Sequence, residues 1–175
     1  MNENNMQHGT EWQGQNVSGW FMSEKMNGCR VYWDGNILWS RGGIAINLPV
    51  KWKNKLPENI HLDCELYDGV DGVYRCGSAI KYGNFNSTMK LVVFDCPTAK
   101  GNWDERMKYV EALIKRLDFI QCVAWRICDS VKDAMNELIN VKLKGGEGLM
   151  MRSNDIDYNP GRTRKLLKIK YHNYN

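Results

Sequence analysis

The sequence predicts an α+β fold: one globular domain of mainly antiparallel sheets with flanking helices. Three observations carry this. Short β-type runs punctuated by turn residues fill the N-terminal half, two amphipathic helical patterns follow, and the C-terminal stretch returns to strand-like alternation. With 175 residues, 43% of them hydrophobic and 25% charged, the chain can bury one real core.

Taken in order, residues 1–19, MNENNMQHGTEWQGQNVSG, form a polar N-terminal segment with neither the basic nor the apolar region of a secretory signal. Strands are expected in GWFMSEK (19–25), RVYWDG (30–35), NILWSR (36–41), IHLDCELYD (60–68) and KLVVFDC (90–96). DGN, RGG, DGVDG and YGNFN supply turns between them. NWDERMKYVEALIKRLDF reads as a helix with Asn102 as N-cap and acidic residues in its first turn. Met107, Val110, Leu113, Ile114 and Leu117 fall on one of its faces. SVKDAMNELINVKLKGG is a second helix, with Val131, Ala134, Met135, Leu138 and Ile139 in phase and Gly145-Gly146 as its stop. Two more strands, EGLMMR (147–152) and KLLKIKY (165–171), complete a domain spanning 20–175.

Composition excludes several classes. No run of about 18 apolar residues exists to span a membrane, and a soluble intracellular protein is expected. The six cysteines form no C-x-x-C pair, so reduced thiols are expected in place of a zinc site or disulfide framework. The net charge of +4 says little. Between positions 152 and 170, Arg152, Arg162, Arg164, Lys165, Lys168 and Lys170 face only Asp155 and Asp157. Such a strip suits a phosphate-bearing partner, and equally a solvated face.

Several residues could carry chemistry, and local pattern leaves each with two readings. In SEKMNGCRVYWDG, Lys25 is either a charge beside an Asn-Gly turn or a nucleophile next to a backbone that a ligand approaches closely. Asp63 and Glu65 point to the same side of a strand, as a paired site or as a solvent-facing edge. Glu147 is a metal-holding carboxylate or a turn glutamate. Lys168 and Lys170 share a face, as functional cations or as ordinary alternation in a half-buried strand.

The ordered set is more specific. Lys25-x-Asn27-Gly28-x-Arg30, Ser40-Arg41-Gly42-Gly43, Asp63-x-Glu65, Phe94-Asp95, Glu147-Gly148 and Lys168-x-Lys170 together resemble the nucleotidyltransferase motifs of ATP-dependent DNA ligases, the small bacterial and viral members above all. The resemblance implies an ATP-grasp-like nucleotidyltransferase (adenylation) domain with a nucleotide cleft, using ATP and Mg²⁺ to seal nicked double-stranded DNA as a monomer. It makes Lys25 the nucleophile that takes AMP. A lysine at its reference pKa of about 10.4 is almost wholly protonated, so neighbouring cations must favour the amine. Arg30, Lys168 and Lys170 supply that field, and the two lysines also neutralise the α-phosphate. Glu65 is implied to bind the ribose and Phe94 to stack on the base. Glu24 or Met22 would line the base pocket. Glu147 would hold the metal, Asp63 would support Glu65 or help to position that metal, and Arg41 with Arg152, Arg162, Arg164 and Lys165 would grip DNA. Two departures stand out. Asn27 replaces the aspartate of the first motif, and the chain stops five residues after Lys170, before any oligonucleotide-binding domain, with a separate protein as one expected source of the missing clamp. RNA ligases and mRNA-capping guanylyltransferases share the lysine box, and a catalytically silent nucleic-acid-binding remnant is the rival outside enzymes.

Overall fold

In the computed structural model, which describes residues 2–171, the elements run β1 (Gln7–Glu11), β2 (Phe21–Glu24), β3 (Cys29–Trp33), β4 (Leu38–Ser40), β5 (Ala45–Ile46), α1 (Val50–Lys53), β6 (Leu62–Tyr67), α2 (Val73–Tyr82), β7 (Lys90–Asp95), α3 (Trp103–Ile114), β8 (Ile120–Cys122), β9 (Trp125–Ile127), α4 (Val131–Leu143), β10 (Gly148–Arg152) and β11 (Gly161–Lys170). They build two sheets, one ordered β1-β11-β10-β2-β9 and the other β5-β4-β3-β6-β7-β8. Only β1 with β11 and β7 with β8 run parallel. The mainly antiparallel α+β expectation therefore holds.

Both predicted helices form where their caps place them. The Asn102 side chain accepts from the Glu105 N–H while the Glu105 carboxylate accepts from the Asn102 N–H, closing a capping box at the start of α3. Ser130 Oγ accepts from the Asp133 N–H at the start of α4. Met107, Val110, Ile114, Ala134 and Leu138 are buried, but Leu113 and Ile139 turn to solvent, 44% and 51% exposed. Each sits on the margin of its apolar stripe, beyond the reach of the sheet.

The structure adds β1, β5, α1, α2, β8 and β9 to the elements expected from the sequence. Residues 2–19 are more than a polar segment: they supply β1 and bury Met6, Trp12 and Val17. The region between two turn signals also holds α2, which Gly83 ends in the left-handed conformation (φ 75°), its N–H donating to the Ala79 carbonyl.

Apolar burial falls into three clusters. Val31, Leu66, Leu91, Ile114 and Trp52 pack on the six-stranded sheet, with Trp52 stacked on Phe119 at 4.8 Å between centroids. Leu138, Leu149, Met151 and Ile169 join α4 to the five-stranded sheet. The third cluster, Phe21, Val92, Trp103, Met107, Ile156 and Leu166, takes residues from both sheets and locks them together. Trp103 is fully buried within it and its indole N–H donates to the Phe94 carbonyl at 2.8 Å. Burying an apolar side chain of this kind contributes about 1.5–3 kcal/mol. Among the described residues, no helix is long and apolar enough to cross a membrane.

Beside this junction, Arg106 forks onto Asp95 at 2.8 and 3.1 Å and donates to the carbonyls of Gly101 and Ile156. Arg106 and Asp95 are both buried. Arg106→Ala should cost about 3–5 kcal/mol, because it strands a buried carboxylate. The urea midpoint reads this directly, and an unchanged midpoint would show that the pair is dispensable.

Candidate active site

Antiparallel register brings the lysine end of the site together. Glu24 of β2 lies opposite Leu149 of β10, and Lys170 of β11 lies opposite Gly148. The Lys25 N–H continues the ladder by donating to the Gly148 carbonyl at 2.8 Å. The three strands therefore deliver their charges to one spot: Lys25 Nζ is 2.5 Å from Glu147 Oε2 and Lys170 Nζ is 3.2 Å from Glu147 Oε1. Gly148 is required here, since a Cβ would lie 2.2 Å from the Ile169 carbonyl oxygen. Burial pushes the Glu147 carboxyl up, but Lys25 and Lys170 outweigh it and leave it below its usual value. Lys168 Nζ lies 3.5 Å from Glu11 Oε1 of β1.

The facing wall comes from the other sheet. Arg30 of β3 sits opposite Glu65 of β6, with Asp63 as its diagonal neighbour. Arg30 donates through Nε to Asp63 Oδ1 at 3.0 Å and through Nη2 to Oδ2 at 2.6 Å. Glu65 Oε1 accepts the Gly28 N–H at 3.1 Å, across a contact so close that a Cβ on Gly28 would meet the Leu66 carbonyl oxygen at 2.2 Å. Burial dominates at Glu65 and pushes its carboxyl up to about 7, against the pull of Lys25, the Gly28 N–H and Arg30. Phe94 is half-buried, with the Arg30 guanidinium carbon 5.4 Å from its ring centroid. A cavity of about 670 Å³ separates the walls, within the range of small-molecule and cofactor pockets.

Lys25, Arg30, Glu65, Phe94, Glu147, Lys168 and Lys170 all line this cavity. Glu24 lines it too, whereas Met22 is buried in the core under α4. Burial raises the Glu24 carboxyl against the influence of Lys144. Arg41 stands at the rim on the turn closed by the Gly43 N–H to the Ser40 carbonyl, and its guanidinium pairs with Glu3.

Two site expectations need correction. Asp63 is not placed as a metal ligand: it is fully buried, and besides Arg30 its carboxylate accepts the Tyr158 hydroxyl at 2.6 Å, so both oxygens are taken. Arg152 is not on an exposed basic strip. It is buried at the inner wall of the cavity, 4.6 Å over the Trp103 ring, donating to Ser23 Oγ at 2.8 Å. Burial pulls it down to about 10, which leaves it charged at neutral pH. Arg162, Arg164 and Lys165 are exposed on the first half of β11, outside the cavity, with Lys165 2.6 Å from Asp155. Among the described residues no group of three or more His, Cys, Asp or Glu is arranged to hold a metal. Of the expected pair, Glu147 is the partly exposed one, at 23% against 0% for Asp63, but both of its oxygens pair with lysines; magnesium, which needs one or two carboxylates when phosphate and water complete its shell, would have to displace one of them. The cavity also takes Gln7, His8, Met150 and Tyr158. The sequence marked Tyr158 only by the turn-rich DYNPG around it, and Gln7 by nothing at all.

Two sheets closing on a lysine, a facing carboxylate and a row of cations define a nucleotidyltransferase-type domain. The chain belongs to the ATP dependent DNA ligase domain family, whose model matches residues 52–170. It is 29% identical over 163 residues to a DNA ligase of Haemophilus influenzae, covering 91% of this chain and 60% of that protein. Among solved structures it is similar to one described as DNA binding with a minimal scaffold in Lig E DNA ligases, with a TM-score of 0.86 and 27% identity over 95% of this chain and 68% of that one. The Chlorella virus DNA ligase-adenylate shares the fold at a TM-score of 0.76 and 19% identity, over 96% of this chain and 67% of that one. The family match begins after Lys25 and Arg30, so the lysine motif stands on its own geometry.

Glu65 gives the site a pH signature. Its folded carboxyl holds a proton up to about pH 7 and its ordinary value is 4.5, so its protonated form favours the fold and that stabilisation is lost as pH rises from 4.5 through 7. Glu65→Gln should flatten this decline by an amount on the order of 3 kcal/mol. Denaturant midpoints at several pH values test it, and parallel curves for both proteins would refute it. Asn27 generates a second expectation. Its amide donates to the Val70 carbonyl at 3.3 Å, tying the loop after Lys25 to the turn before α2. Asn27→Asp sets a carboxylate against that carbonyl and should cost about 1 kcal/mol, visible as a lower melting midpoint; an equal or higher midpoint would mean that the amide does not hold this loop.

Proposed function

We propose that this domain is the catalytic domain of an ATP-dependent DNA ligase acting on nicked duplex DNA through a covalent lysyl-AMP. The observation that carries the reading is the meeting of Lys25, Glu147 and Lys170 at one end of a nucleotide-sized cleft. The neutral amine of Lys25 attacks the α-phosphorus of ATP; the bond from that phosphorus to the pyrophosphate oxygen breaks, and the amine loses a proton. Glu147 Oε2 is the acceptor within reach. Held low by two lysines, it orients Nζ and relays the proton to solvent in the open cleft. Lys168 and Lys170 offset charge on the α-phosphate as the bonds exchange. The AMP then passes to the 5′-phosphate of the nick, and the 3′-hydroxyl displaces it to close the strand.

The remaining roles follow from position. Glu65 faces the ribose from the opposite wall, Phe94 offers its ring to the base, and the Glu24 carboxylate suits the amino edge of adenine. Glu147 would hold a magnesium ion together with the phosphates, adding positive charge against the departing pyrophosphate. Arg41 at the rim and Arg162, Arg164 and Lys165 on exposed β11 provide cations for the DNA backbone.

The test is incubation with ATP labelled at the α-phosphate. An acid-labile adduct should form on the unsubstituted chain and be lost in Lys25→Ala, with the melting midpoint shifted little because a cleft lysine packs against few neighbours. Adduct on Lys25→Ala would move the nucleophile elsewhere, and preferential labelling by GTP would favour a capping-type enzyme.

A further inference from the structure

Behind the cleft, four residues distant in sequence close a hydrogen-bonded ring. The Tyr158 hydroxyl donates to Asp63 Oδ2 at 2.6 Å. Asp63 accepts both Nε and Nη2 of Arg30. Arg30 Nη2 also donates to the Gln7 carbonyl at 2.7 Å, and the Gln7 N–H donates back to the Tyr158 oxygen at 3.3 Å. The Gln7 side chain fastens the same loop by donating to the Asp157 carbonyl at 2.7 Å. Each donor constrains the next. With its lone pair facing the Gln7 N–H, the Tyr158 hydroxyl has its single proton left for Asp63. Asp63 alone could swing about Cβ–Cγ and carry the guanidinium with it; the third donor, arriving from outside the Arg30 fork, stops that rotation. Arg30 Nη1 makes no hydrogen bond among the described residues, and Arg30 lines the cavity. Burial, the first cause, with Asp63 behind it, pushes the Tyr158 phenol well above its usual value, so it remains a donor across any working pH.

We propose that Tyr158 is a positioning residue for nucleotide transfer, aiming the free edge of the Arg30 guanidinium into the cleft through Asp63. This rests on the reading of the site as an adenylating one. Tyr158 touches no reacting atom in this role; it acts only through Arg30, and so its removal should matter only while Arg30 is present.

The test is a double-mutant cycle on the rate of adduct formation at saturating ATP, using Tyr158→Phe, which keeps the ring and removes the hydroxyl, Arg30→Lys, and both together. Tyr158→Phe should slow the step about tenfold with the KM for ATP changed less than about threefold. The double variant should be no slower than Arg30→Lys alone. An unchanged rate in Tyr158→Phe, a loss carried mainly by KM, or losses that multiply in the double variant would each overturn the proposal. If the unsubstituted chain forms no adduct, the adenylation reading falls and this inference with it; an adduct with an unaffected Tyr158→Phe sinks this inference alone.

Discussion

The architecture turns on two carboxylates that register forces to face each other. Asp63 of β6 lies directly opposite Asp95 of β7, and like charges so placed repel. Each is neutralised by its own forked arginine, Arg30 for Asp63 and Arg106 for Asp95, while Arg152 adds a third guanidinium nearby. Desolvating so many charges stabilises little in net terms, yet removing one partner leaves its opposite buried and unmatched. What this cluster supplies is alignment. Through it α3, both sheets and the loop before β11 are referred to common points, and the wall that carries Glu65 and Phe94 is held at a set distance from the wall that carries Lys25.

Much of this was readable from residue order. α3 and α4 declared themselves by spacing and by caps, since a side chain that satisfies the first N–H groups of a helix is a local event. The strands that carry Glu65 and Lys168 or adjoin Lys25 and Glu147 were visible for the same reason: alternation and turns need no distant partner. β1 was not, because QHGTE has polar residues and a glycine, and it becomes a strand only by pairing with residues more than 150 positions away. α2 was hidden between two turn signals: its VYRCGSAIKY is short, and no side-chain cap marks its start.

In the site, the sequence located residues better than it assigned them. Lys25, Arg30, Glu65, Phe94, Glu147, Lys168 and Lys170 all reached one cavity. Asp63 and Arg152 reached it as well, but their duties depend on which side chains lie alongside. Only the fold brings Tyr158 to one and Trp103 to the other. A partly exposed carboxylate between two lysines and a fully buried one held in an arginine fork read alike as letters.

The order of strands in the five-stranded sheet also dictates when the site can come into being. The six-stranded sheet uses residues 29–122 in a nearly unbroken stretch, so most of it can assemble as soon as that length has left the ribosome. β2, just before Lys25, has to wait for β9 and β10 as neighbours, and β1 waits for β11. Such long-range pairings close slowly and late. During synthesis, half of the cleft therefore stands finished and unopposed until residue 170 has been made. The cleft of a nascent chain lacks its second wall, and its exposed β2 edge is the segment most in need of shielding from other chains.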